Sequence, residues 1–234
     1  MRRSMTDSRS SSITRNRIID LLMVLFLMLL MTYSLIGETF HEIAGTAMLI
    51  LFLAHNWMHR KWWKAIAKGR YTPYRILITV VNVVLFALML SQPLAGIAMS
   101  HHLYTFLSFL GLSSLAREIH LAVAYWCFAL MSFHLGLHMD AVLRSILRGK
   151  EKQAAVRWLG RLLALSISAY GAFAFVRRGF PDYMFRRTMF AFFDYSEPIA
   201  FFLADYLAIM TLFATCGYYS GKLALRMRPK GKAQ

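Results

Sequence analysis

The chain has 234 residues, 58% of them hydrophobic and 16% charged, where soluble domains carry about 25% charged residues. Its net charge of +16 does not read as a nucleic-acid surface, because Lys and Arg sit in short segments between long apolar blocks. These features exclude an ordinary soluble globule. They predict an all-α integral membrane helical bundle of six transmembrane helices.

In chain order, residues 1–16 are basic and serine-rich and are expected to be a disordered cytoplasmic tail. Residues 18–37 form the first apolar run, read as an uncleaved anchor because no small-x-small site follows promptly. Gly37, Glu38 and Thr39 make a very short turn, so the second helix, residues 40–59, is expected antiparallel to the first. The stretch HRKWWKAIAKGRYTPYR is basic and tryptophan-bearing, as loops at headgroup level are. A third helix covers 76–99, with a kink expected at Gln92-Pro93 because proline lacks the backbone donor. Residues 100–117 form a loop containing His101 and His102.

The fourth helix covers 118–140, and a second basic loop, RSILRGKEKQAAVRWLGR, follows. The fifth, 158–176, has a short uninterrupted apolar part, and the two arginine pairs that follow it, against the charge asymmetry, leave a re-entrant or interfacial helix open. The segment RRGFPDYMFRRTMFAFFDYSEP mixes arginines with aromatics and is expected along the membrane interface. The sixth helix, 198–221, holds Asp205 and precedes a basic tail. The organisation expected is thus 1–16 tail, 17–145 four-helix core, 146–223 two further membrane helices with an outer interfacial segment, and 224–234 tail. Six spans place both termini on one side. That side then holds 22 of the 27 Lys and Arg, which makes both termini and both tryptophan-bearing loops cytoplasmic. Cys127 and Cys216 fall in apolar runs and read as small core hydrophobes.

Six of the eight histidines stand in a duplicated pattern. HEIAGTAMLILFLAHNWMH carries His41, His55 and His59, and HLAVAYWCFALMSFHLGLH carries His120, His134 and His138. Each copy spaces its histidines by 14 and then 4 residues. An ionisable side chain inside a membrane helix is a functional-site hypothesis. Fourteen helical residues climb about 21 Å and return to within about 40° of the same face. The second and fourth helices run parallel in an up-down bundle, so His41 is level with His120, toward the outside. His55 is level with His134, toward the cytoplasm. Two imidazoles facing each other supply both axial ligands of a haem iron, and two such levels give two haems b in a four-helix dihaem core. The small residues Gly45 and Gly136 are expected to leave room beside the porphyrins. Zinc fits less well, since structural zinc gathers four ligands at one site.

His59 and His138 lie one turn deeper and compete with His55 and His134 as ligands. They are otherwise candidates for a quinone or proton site, together with Asp205. Arg117 and Arg186, with Arg187, are candidates to pair with propionates of the outer haem, and Arg60 and Lys61 with those of the inner one. His101 and His102 offer a docking surface. Asp20, Asn82 and Gln92 are expected to be structural.

Paired histidines 14 residues apart on the second and fourth helices are the pattern of cytochrome b in the respiratory bc complexes. HEIAGTAMLILFLAHNWMHRKWW and FHLGLH resemble more closely the flavinylation-associated cytochrome family of bacterial membrane proteins. The resemblance is best over residues 17–145 and extends to FPDYMFRRTMFAFFDYSEP and the sixth helix of longer members. It implies a dihaem b-type cytochrome of the bacterial inner membrane that passes electrons, from quinol or a cytoplasmic-side donor, to an extracytosolic flavin-bearing partner. No Gly-rich dinucleotide fingerprint is present, so reductant must come from quinol or a partner subunit. The alternatives are a transporter whose histidines bind a metal ion or protons, and a haem-bearing membrane anchor for a redox complex.

Overall fold

The computed structural model describes residues 2–106, 113–147, 153–188, 190 and 193–227. The described residues form helices and connecting turns, with no strand among them. The helices are α1 (Arg2–Leu30), α2 (Tyr33–Ile36), α3 (Glu38–Met58), α4 (Arg60–Ala65), α5 (Pro73–Ala98), α6 (Ser113–Leu137), α7 (Met139–Leu147), α8 (Ala154–Arg177), α9 (Phe180–Met184) and α10 (Ile199–Arg226). Four of them, Pro73–Ala98, Ser114–Leu137, Ala154–Arg177 and Ile199–Arg226, are long and apolar enough to cross a membrane. They correspond to the third to sixth expected spans. α8, expected to be the weakest, is 24 residues long. The two earlier expected spans map onto α1 and α3. These are more polar, α1 through its serine- and arginine-rich first half and α3 through Glu38, His41, Glu42, His55 and Asn56. The basic residues Arg148, Lys150 and Lys152, and the tail from residue 228, lie outside the described residues.

α1 begins at Arg2, within the stretch expected to be irregular. No Gly or Pro precedes Gly37, so nothing in that stretch interrupts a helix that the apolar run continues. The turn is longer than expected. The chain leaves α1 at Met31, makes the single turn α2, and reverses at Gly37, whose φ of +78° only glycine adopts without strain. α5 opens with Pro73 at its first position, while the Thr72 hydroxyl accepts the Arg75 amide at 3.3 Å. Pro93 lies within α5, where it leaves the Met89 carbonyl without its helical donor.

The chain divides into two compact units, Met1–Gly69 with Gln92–Arg117, and Arg70–Ser91 with Glu118–Gln234. The three boundaries fall after Gly69, beside Pro93 in α5, and in the first turns of α6. In the first unit α1 and α3 form an antiparallel hairpin. Its register is fixed by three contacts: Asp20 with His55, Leu30 with Gly45, and Tyr33 with His41.

In the second unit α10 is the central element. It runs parallel to α6, as the contacts of Phe128 with Tyr206, Gly136 with Ala214, and Asp140 with Lys222 show. It runs antiparallel to α8, through Gly171 with Ala208 and Ser168 with Thr215. The core here is aromatic. Phe128 and Phe180 are fully buried, with Tyr125, Tyr183, Phe202 and Tyr206 around them. Tyr125 stacks on Tyr183 at 4.4 Å and Phe202 on Tyr206 at 4.3 Å. α9 therefore departs from the expectation for its segment. Gly179 ends α8 in the left-handed conformation, and the chain folds back so that Phe180, Tyr183 and Met184 enter the core. Phe185 and Tyr195 of the same segment remain exposed.

Candidate functional site

The histidines of α3 stand on one stripe. His41, His55 and His59 fall within about 20° of Met48 in helical phase, and Met48 is buried together with Ala44 and Phe52. His41 meets the ring of Tyr33 edge-on at 5.1 Å. At the other end of the stripe, the Nδ1–H of His55 donates to Asp20 Oδ1 at 2.9 Å. His59 caps α3, with its ring 4.6 Å from that of His55. Asp20, His55 and His59 offer ligand atoms that all lie within 4.8 Å of one another.

The expectation of a merely structural Asp20 does not anticipate this contact. The signal that would have found it is the hairpin itself. Asp20 lies 17 residues before Gly37 and His55 lies 18 after it, so any antiparallel pairing about that glycine places them opposite each other.

Glu42, next to His41, was also not singled out from the sequence. Its carboxylate accepts the Ser100 hydroxyl at 2.7 Å, the His101 amide at 3.0 Å and the Leu103 amide at 2.8 Å. Thr46, one turn on, bonds the Tyr104 hydroxyl at 3.0 Å. The loop after α5 is thereby tied to the His41 end of α3. His101 and His102 lie exposed near Glu38, at 3.9 and 3.6 Å.

On α6 the three histidines share one edge as well. His120 and His138 are in phase, and His134 lies about 40° away. The α10-facing side of this helix is marked by Phe133 and Gly136, and the histidine edge is turned roughly 130–170° from the direction midway between them. The packing of α6 on α10 thus leaves the histidine edge outside their interface. His134 and His138 have ring centroids 4.8 Å apart. The expectation for Gly136 is corrected. A β-carbon there would sit 2.0 Å from the Ala214 carbonyl oxygen, so the space is filled by α10 rather than left for a cofactor. At Gly45 a β-carbon would meet a Leu30 methyl at 4.0 Å, an ordinary contact within the α1–α3 hairpin.

Arg186 has a φ of +57° and pairs with Glu118, two residues before His120. The two line a small cleft with Leu121, Ala122, Tyr183 and Thr188. Arg117 is exposed near the start of α6, and Arg187 pairs with Asp182 at 3.5 Å. Arg60 bonds the Trp57 carbonyl and lies over its ring.

Asp205 is fully buried, and its contacts are those of an anion held by cations. Tyr170 donates to Oδ1 at 2.5 Å, and Arg178 and Arg177 reach Oδ2 at 2.6 and 3.1 Å. Glu197 completes the group by pairing with both arginines. Within the register of α6 on α10, Asp205 and His138 are separated by about 17 Å along the axes. These two members of the expected quinone or proton site are not brought together.

No family model, curated protein or solved structure matches the chain. Among the described residues the fold is all-helical, with four helices long and apolar enough to cross a membrane.

Proposed function

We propose that the chain is a six-span dihaem b-type cytochrome that carries electrons across a bacterial inner membrane. The donor is quinol or a cytoplasmic-side reductant, and the acceptor is an extracytosolic flavin-bearing protein. The observation that carries this reading is the duplicated histidine spacing, 14 residues in each copy, set on one stripe of α3 and one edge of α6. His41 with His120 and His55 with His134 are the axial pairs. When bound, the haems supply reversible one-electron chemistry.

The protein's own part is to orient the four imidazoles, to keep water from them and to hold the ligating tautomer. Asp20 performs the last task at His55. The packing of α6 supports the reading by keeping the histidine edge out of the α10 interface. Glu42 anchors the loop near His41 and so steadies the outer end. Arg186 faces Glu118 here, and a propionate would compete with that carboxylate for it.

The test is the reduced-minus-oxidised spectrum of the purified protein with haem quantitation. Two haems per chain are expected, falling to one in His120→Ala or His134→Ala. Full haem content in either variant overturns the ligand assignment.

A second reading draws on the convergence of Asp20, His55 and His59. Two imidazoles and a carboxylate suit a first-row transition-metal ion, as in a metal transporter. It predicts purified protein with no Soret band and a bound divalent ion that is lost in His59→Ala.

A further inference from the structure

We propose that Asp20 is a positioning residue for His55, fixing its tautomer and strengthening it as a haem ligand. The inference rests on the dihaem reading and goes beyond it, because it assigns a carboxylate that tunes one of the haems. It starts from an acid at the edge of the first apolar run, Asp20, three residues in. The structure pairs it with His55 alone among the stripe histidines, through Nδ1 at 2.9 Å.

A neutral imidazole has one donor and one acceptor nitrogen. With Nδ1–H committed to the carboxylate, the lone pair sits on Nε2, the nitrogen that ligates. The carboxylate also raises the basicity of the ring and so favours the ferric state of the iron it binds. The neighbouring ring of His59, at 4.6 Å, narrows the orientations open to His55. At the other end of α3, His41 meets the edge of the Tyr33 ring. The Asp20 carboxylate acts at the His55 level, and it lowers the potential of the haem held there.

The test is a redox titration of the wild type, Asp20→Asn and Asp20→Glu, with haem quantitation. The expected result is two haems in the wild type, an upward shift of one midpoint in Asp20→Asn, and return toward the wild-type value in Asp20→Glu. Haem affinity at that level falls about tenfold or more in Asp20→Asn.

Unmoved midpoints in Asp20→Asn, with two haems retained, overturn the role of Asp20 and leave the dihaem reading standing. An equal shift of both midpoints overturns it as well, because that is a change of the whole fold. A wild type without haem overturns the dihaem reading itself. His41→Ala, which is expected to keep only the haem at the His55 level, gives a second measurement. Adding Asp20→Asn to it must raise the remaining midpoint, and an unmoved midpoint overturns the proposal.

Discussion

A β-carbon at Gly136 would lie 2.0 Å from the carbonyl oxygen of Ala214, and one at Gly217 would lie 2.1 Å from that of Phe133. The two glycines are reciprocal, each admitting the backbone of the other's helix. Small residues of this kind let membrane helices approach closely enough for dispersion and Cα–H···O contacts to hold them. Gly136→Ala or Gly217→Ala must push α6 and α10 apart, at a cost of about 1–3 kcal/mol. Gly160→Ala is the control. It meets no atom within 4 Å and removes a glycine from a helix interior, which is worth up to about 1 kcal/mol of stabilisation. Thermal unfolding in detergent should show the first two variants melting below the wild type and the third at or above it.

The cluster around Asp205 makes a second prediction. Two arginines and a tyrosine hold a carboxylate that has no exposure at all. Asp205→Ala leaves Arg178, itself largely buried, without half of its anionic partners. Removing one member of a buried pair costs about 3–5 kcal/mol. Tyr170→Phe removes one hydrogen bond and should cost about 1 kcal/mol. Chemical denaturation in mixed micelles should rank the two in that order. Equal losses would mean that the tyrosine, not the ion pairs, holds α8 to α10.

How much of this was legible in the sequence follows from the range of the interactions. The apolar blocks gave α5, α6, α8 and α10 because mean hydropathy over a span is a local property. The phase of the histidines was likewise local, since it needs only the helical repeat. What stayed hidden depends on partners far along the chain. Gly136 reads the same whether its open side receives a porphyrin or a neighbouring backbone, and only the register of α10 decides. Asp205 looks like a solitary buried acid until Arg177 and Arg178, one helix away, are folded onto it. Asp20 carried a usable signal, its distance from Gly37, but only to a reader who first committed to the hairpin. The aromatics of α9 resembled an interfacial segment because composition alone does not distinguish a ring facing lipid from one facing Phe128.

The turn before α10 has a defined pH response. The amide and hydroxyl of Ser196 donate to Asp194 Oδ1 at 2.9 and 2.6 Å, which holds the Asp194 carboxyl below its ordinary range. A depressed carboxyl contributes stability that is present above its unfolded pKa, about 3.9, and lost as the pH falls through the folded value. The turn should therefore keep its hydrogen bonds at neutral pH and loosen in acid. Ser196→Ala removes the hydroxyl donor and should move the Asp194 titration upward toward the ordinary value. Carboxyl chemical shifts followed against pH in the two proteins check the direction. A downward movement in the variant would contradict it.

The four histidines proposed as ligands and the two left over should separate by haem count. Within each helix the two proposed ligands, His41 and His55 or His120 and His134, are 14 residues and about 21 Å apart, so in the dihaem reading loss of any one removes a single axial bond of a single haem. Each of the four alanine variants should retain one haem, and His41→Ala and His120→Ala should retain the same one, with the same midpoint potential. His55→Ala and His134→Ala should retain the other. His59 and His138 have their rings within 5 Å of His55 and His134 respectively, at 4.6 and 4.8 Å, so they can replace those ligands only by moving the whole inner level one turn along both helices. If His55 and His134 are the ligands, His59→Ala and His138→Ala keep two haems, and the inner midpoint shifts only as far as the lost ring contact alters the ligand. If the deeper pair ligates instead, those two variants drop to one haem while His55→Ala and His134→Ala keep two. A mixed outcome, with one haem lost in both His55→Ala and His59→Ala, would fit neither pairing. It would direct attention to the Asp20, His55 and His59 cluster as a metal site in its own right.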